Sequence, residues 1–302
     1  MATLPEDLAD RIKSLSTSWT AATAIGSFAL YVAGYLALRF HLLVFGIAAD
    51  LSVLDERYLF AGAQFLAYLV AALPSIALLL APPLALGWLA SRLLPRRWRA
   101  SVVRRCLRPG FLLAIGLLVA VGTIQFAMRL SFVLQDLLLA SRLPDHPAWL
   151  REVLLNPEGK PLYFDALVAA CLLPTAMLAR LRRFPATRRG VAIGRPLLAA
   201  MVAIQWLLLP INFGVLIVDQ TLPRVLAAGP RAAAPGDVAW LAWEGQTALT
   251  FLVCNADGRR RSLFVVPRDK AGPIEIVASD PIFPTLFSPG GARRVPLVLE
   301  QP

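Results

Sequence analysis

The side chains whose type and spacing could support chemistry lie within long apolar runs of a 302-residue chain. Gln125, Arg129 and Asp136 are four and then seven residues apart, which places them on one helix face. Gln205, Asn212 and Asp219 recur every seven residues and share a face that drifts by about 20° per heptad. Polar groups in an apolar bundle are expensive and turn toward its interior or toward water. Two such stripes predict a polar seam between their helices. The seam could conduct an ion, a proton or a small solute, or it could serve only as interhelical hydrogen bonding worth about 0.6 kcal/mol per contact.

Arg39 and His41 are two residues apart, so one snorkels outward while the other faces the bundle. Arg39 has Asp50, Asp55, Glu56 and Asp136 as candidate partners, and Arg129 with Asp136 is also readable as an ordinary ion pair. His41 is a candidate proton relay without a carboxylate at a fixed spacing. Asp165 is expected to join the same group. Together, Arg39, His41, Gln125, Arg129, Asp136, Asp165, Gln205 and Asn212 are the candidate polar set.

Patterns for bond-breaking chemistry are absent. The chain has two histidines, His41 and His146, and no GxSxG, HExxH, Walker or strand–helix GxGxxG motif. Cys106, Cys171 and Cys254 form neither a CxxC nor a metal-ligand spacing. Asp50, Asp55 and Glu56 read as a capped, solvated loop. These features predict a non-enzymatic protein with no cofactor and no metal.

The elements that must hold the candidate set are set by hydropathy. Apolar residues make up 58% of the chain and charged ones 16%, against about 25% charged in ordinary globular proteins. Several runs exceed the roughly 18 apolar residues that have a natural place only in a bilayer. The stretch Arg92–Arg108, RLLPRRWRASVVRRCLR, carries seven arginines and no acid between two such runs. Short arginine-rich loops stay cytoplasmic. A second stretch, Arg180–Arg195, brings the two to thirteen of the thirty basic residues. The net charge of +11 therefore reflects topology and contact with anionic lipid headgroups, and it argues against nucleic-acid binding. Lysine is nearly absent, a bias that suggests a GC-rich bacterial genome and hence an inner membrane.

The predicted fold class is mainly α: a polytopic helical membrane protein of about five spans with a small C-terminal β-rich domain. Residues 1–20 form a cytoplasmic segment with a short surface helix, Pro5–Leu15, and no cleavable leader. Spans follow at about 21–48, 58–81, 110–140, 162–179 and 196–218. Tyr58 is expected as an interfacial anchor, and Pro82 with Pro83 should end the second span, leaving Leu84–Leu94 as a separate helix; the alternative is a re-entrant hairpin that breaks at Pro74. Small residues Ala22, Gly26, Ala29, Ala33 and Ala37 allow close helix approach in the first span.

A linker is expected over 221–237, then a β-rich domain over 238–302 on the outer side. Its runs are VAWLAWE, TALTFLVC and RRSLFVVP, with a hairpin turn at Asn255–Gly258. Trp240 and Trp243 should sit on opposite faces. Without catalytic groups, and with an outer domain suited to docking, the chain reads as an assembly or anchoring subunit of a membrane complex. Its partner is another protein or a second copy. The alternative is an oligomeric channel or transporter that uses the seam between the third and fifth spans.

Overall fold

The computed structural model describes residues 6–44, 56–93, 108–139, 159–184, 189–218, 221–226, 237–254, 261–281 and 297–298. Outside them fall Asp50–Asp55, most of the first arginine-rich stretch, residues 140–158, Asp219, the turn Asn255–Gly258 and most of the tail. The helices are α1 (Glu6–Val44), α2 (Glu56–Ala71), α3 (Leu73–Leu93), α4 (Pro109–Leu139), α5 (Gly159–Leu181) and α6 (Arg189–Leu216). The strands are β1 (Thr221–Val225), β2 (Val238–Glu244), β3 (Ala248–Cys254), β4 (Arg261–Pro267), β5 (Ile276–Pro281) and β6 (Leu297–Val298). The chain is thus mostly helical with one small sheet. By length and composition, α1, α4, α5 and α6 each hold a stretch able to cross a membrane, and the bent pair α2–α3 is either a broken fifth span or a re-entrant loop.

Three details depart from expectation. No separate surface helix precedes the first span, because α1 runs unbroken for 39 residues. Its polar start continues the helical register, and the segment 6–20 contains no glycine or proline to stop it. The run breaks at Ala72, with a 43° bend, beside Pro74 as in the alternative reading and not at Pro82–Pro83, and α3 runs through both of those prolines. Pro74 withholds an N–H from the Val70 carbonyl, while Ala72 N still donates to Tyr68 O at 2.8 Å and Ile76 N to Ala72 O at 2.9 Å. Leaving the helix at Pro82 would strand more backbone groups in apolar surroundings than the two prolines do. Finally, the chain joins the sheet at once: β1 occupies the start of the expected linker.

Helix α1 is clasped between α2 and α6 by backbone contacts. A Cβ on Gly34 would lie 1.7 Å from the Tyr58 carbonyl oxygen, and one on Gly62 would lie 2.0 Å from that of Leu30. On the other flank a Cβ on Gly214 would lie 2.0 Å from the Ala37 carbonyl oxygen. Only glycine allows this approach. Tyr58 is fully buried there, edge-on to Tyr31 and Tyr35 at 5.3 and 5.5 Å, so it is not an interfacial anchor.

One end of the bundle is apolar packing of Leu112, Leu113 and Leu117 with Leu178, Leu181, Leu198 and Val202. This joins the starts of α4 and α6 to the end of α5, so both arginine-rich stretches leave from the same end. Arg195 caps α5 there, donating from Nη2 to the carbonyls of Leu181 (3.0 Å) and Phe184 (2.6 Å).

The sheet covers the opposite end. Its strand order is β5-β1-β2-β3-β4-β6, with β4–β6 parallel and the other pairs antiparallel. Leu222, Trp240, Leu252 and Leu263 pack in one cluster with Leu42, Phe213 and Leu216 of the helices. The other face buries Val225, Leu249, Phe251 and Val266 beneath Ala271 and Ile274. The pairing of β2 with β3 skips Ala242, as Leu241 faces Phe251 and Trp243 faces Thr250. This bulge offsets the strand alternation, so Trp240 and Trp243 both pack on the cluster shared with the bundle.

Candidate functional site

The polar centre of the bundle forms where α5 crosses the break between α2 and α3. Asp165 on α5 is only 5% exposed. Ser75, in the first turn of α3, has its hydroxyl against Asp165 Oδ2 and also 2.8 Å from the Ala72 carbonyl oxygen. Tyr68, in the last turn of α2, donates its hydroxyl to Asp165 Oδ1 at 3.5 Å. Its ring lies in an aromatic group with Phe164, Phe213 and Phe65. The same helical face of α5 explains this placement, since Phe164, Leu167, Val168 and Cys171 around Asp165 are all buried in the core.

Other polar groups are buried among the helices. His41 Nδ1 is 3.1 Å from the Gly214 carbonyl, which makes Nδ1 the donor there. Lys160 is 2% exposed and the Tyr163 hydroxyl has no hydrogen-bond partner among the described residues. Gln205 and Asn212 are 1% and 0% exposed on α6. Asn212 Nδ2 donates to the Leu208 carbonyl at 2.8 Å. Asn212 Oδ1 and both polar atoms of Gln205 find no partner among the described residues.

The candidate set divides. Asp165, His41, Gln205 and Asn212 are buried in the bundle, whereas Gln125 and Arg129 are exposed on the far face of α4. The inward face of α4 is the stripe Gly116, Ala120, Thr123 and Ala127, and its contact with α6 is apolar, with Gly116 close to Leu198 and Gly194 close to Leu113. The expected seam between the third and fifth spans is therefore not formed by these residues within one chain. Asp136 lies on α4, and its side chain is outside the described set. Arg39 is partly buried, with no ion pair among the described residues, and Asp50 and Asp55 fall outside them. Glu56 is exposed.

Sequence reading missed Tyr68, Ser75 and Lys160. A serine directly after Pro74 in an apolar run was the available signal, since a proline break leaves carbonyls that need a local donor. Lys160 is buried at the start of α5, two residues before the expected start of that span. Compared with protein families, characterised proteins and solved structures, the chain gave no match.

Proposed function

We propose that this chain is an integral membrane protein and a non-enzymatic assembly or anchoring subunit of a larger membrane complex. The observation that carries this reading is the outward polar face of α4. Gln125 and Arg129 are exposed on a helix otherwise apolar enough to cross a bilayer. Facing lipid, such groups are costly, and a polar or acidic helix from another subunit would satisfy them. Two arginine-rich stretches leaving one end, with the sheet at the other, support a cytoplasmic N-terminus and an outer, periplasmic sheet. The arginines would also meet anionic headgroups of a bacterial inner membrane.

The test is purification of the tagged chain from native membranes in mild detergent, with a photocrosslinker at Gln125. A crosslink to a foreign subunit supports the reading, and a crosslink to a second copy moves the partner to a homo-oligomer. A monomer whose Gln125 probe captures only lipid removes it.

A second reading, an oligomeric channel or transporter, is favoured by the unpartnered buried atoms of Gln205 and Asn212. Under it, Gln205→Ala and Asn212→Ala abolish an ion flux into liposomes and leave the oligomer intact. A flux unaffected by both changes excludes that route.

A further inference from the structure

We infer that the outward face of α4 seats a helix of a foreign subunit that carries a carboxylate level with Arg129. This rests on the assembly reading and names the chemistry of the partner. Helix α4 bears two seams of the same spacing on opposite sides. Gly116, Ala120, Thr123 and Ala127 are four, three and four residues apart and pack inward against α5 and α6. Leu118, Gly122, Gln125 and Arg129 repeat that spacing two residues further on, which turns them about 160° round the axis to the other side. Spacing of this kind lets one helix mesh with another. The inner seam is filled, whereas all four residues of the outer one are exposed, Leu118 at 73%. A Cβ added to Gly122 would meet nothing within 4 Å.

Charge selects the occupant. Arg129 has no ion pair among the described residues. Gly194 is close to Leu113 and Gly116 to Leu198, so α4 and α6 run parallel and in step. Arg129 therefore comes level with Ile211, more than a turn before α6 ends at Leu216. Gln125 lies one turn deeper. An arginine at that level can snorkel toward a headgroup, but the short amide of Gln125 cannot follow it. A second copy docked by the same face does not fit either. Two copies in one membrane orientation meet about a two-fold axis, which sets Arg129 against Arg129, and like charges repel strongly in apolar surroundings. A foreign carboxylate at that level instead makes a charge-assisted pair with Arg129 and leaves Gln125 to bond across the same interface. Gly122, two turns before Arg129, lets the partner's backbone come close.

The experiment uses the full-length chain in lipid vesicles, with a synthetic apolar transmembrane helix as the probe. That helix carries a single Glu, Leu or Lys at the level of Arg129, and energy transfer from its dye to one on the chain's N-terminus reads binding. The Glu helix should half-saturate at a mole fraction about tenfold lower than the Leu helix, with the Lys helix weakest. Arg129→Glu should reverse that order, which the mere loss of a contact does not do. Gly122→Leu should keep the order and weaken the Glu helix about threefold. Both residues are exposed, so neither change unpacks the bundle. Equal binding of the three helices overturns the inference, and leaves the assembly reading standing where Gln125 still crosslinks a foreign subunit. A Gln125 crosslink to lipid alone removes the assembly reading and this partner with it, and a crosslink to a second copy overturns the foreign partner. A Glu preference that appears only after Asp136→Ala overturns it too, by assigning the pairing to the chain's own acid.

Discussion

At the sheet end of the bundle, α1 lies against α2 with no room for a methyl group between Gly34 and the Tyr58 carbonyl. At the arginine end the same helix, from Trp19 to Ala29, is exposed at every residue. Helix α3 repeats the contrast. Ala72 and Ile76 are buried near the break, while every residue from Ala81 to Leu89 is exposed. Both halves of both helices are apolar, so apolarity does not decide which half packs. Glycine at the crossing points and interlocked aromatic rings decide it, because helix association in apolar surroundings depends on close fit. Among the described residues, the apolar packing at the arginine end is the three-helix contact of α4, α5 and α6.

The sharpest way to break this comparison is to fill the crossing. Gly34→Leu places side-chain atoms where backbone atoms of α2 already lie, and neither helix can yield locally. The expected loss exceeds about 4 kcal/mol, with little folded protein recovered from detergent on size exclusion. Gly26 meets nothing within 4 Å of an added Cβ. Gly26→Ala should instead gain up to about 1 kcal/mol from helix propensity. A Gly26→Ala variant as damaged as Gly34→Leu would mean that the exposed half of α1 is packed against something tightly fitted.

Phe213 sits among Phe65, Tyr68 and Phe164 at ring distances of 5.3 to 5.9 Å and is 3% exposed. Phe213→Ala should cost about 3 kcal/mol through lost contacts and the cavity left behind. Phe28, 70% exposed at the other end of α1, should cost less than about 0.5 kcal/mol on the same change. Thermal unfolding of the two variants side by side tests the pair.

The long apolar helices and the β-rich segment after them were legible because hydropathy and β-branched runs are local signals. Tertiary facing was not. Gln125 and Arg129 share a helix face, as their spacing requires, yet spacing does not state whether that face turns inward. The small stripe Gly116, Ala120, Thr123 and Ala127 won the interior of α4 because it allows closer packing. The small residues expected to mediate close approach divide likewise: Ala37 is buried against α6, while Ala22, Gly26 and Ala29 are exposed. Asp165 was visible as an isolated acid, but its partners, Tyr68 and Ser75, lie 97 and 90 residues earlier and come together only in the fold. The bulge at Ala242 reversed the expected facing of Trp243 for a similar reason. An inserted residue shows in the pairing of two strands and not in the alternation of one.

Arg57 joins the two regions at the closed end. Its Nη1 donates to the Glu244 carbonyl at 2.6 Å and its guanidinium lies 5.3 Å from the Trp243 ring centre. Arg57→Ala should cost about 1.5 kcal/mol, the sum of a charge-assisted bond and a partly exposed cation–π contact. Hydrogen exchange should then speed up in β2 more than in the crossing of α1 with α2. Equal acceleration in both would show that sheet and bundle open as one unit, with no separable closed end.

The smallest effect belongs to the sheet's outer ion pair. Arg268 Nη2 is 2.9 Å from Glu244 Oε1, but the two side chains are 56% and 50% exposed. Asp280 is better held: its Oδ2 accepts from Arg224 Nε at 2.9 Å, Arg224 Nη2 at 2.8 Å and Trp240 Nε1 at 2.8 Å. Water and salt compete freely for the Arg268 pair, so Arg268→Ala should change stability by less than about 0.5 kcal/mol. That difference should vanish in 1 M salt, where the screening length falls to about 3 Å. Glu244→Ala should be equally mild, because Arg57 uses the main-chain carbonyl of Glu244 and not its carboxylate. The double variant Arg57→Ala/Arg268→Ala should then equal the sum of the single ones. A coupling above about 0.5 kcal/mol between them would show that the carboxylate helps to hold Arg57 in place, and would extend the closed end out to the sheet's solvent edge.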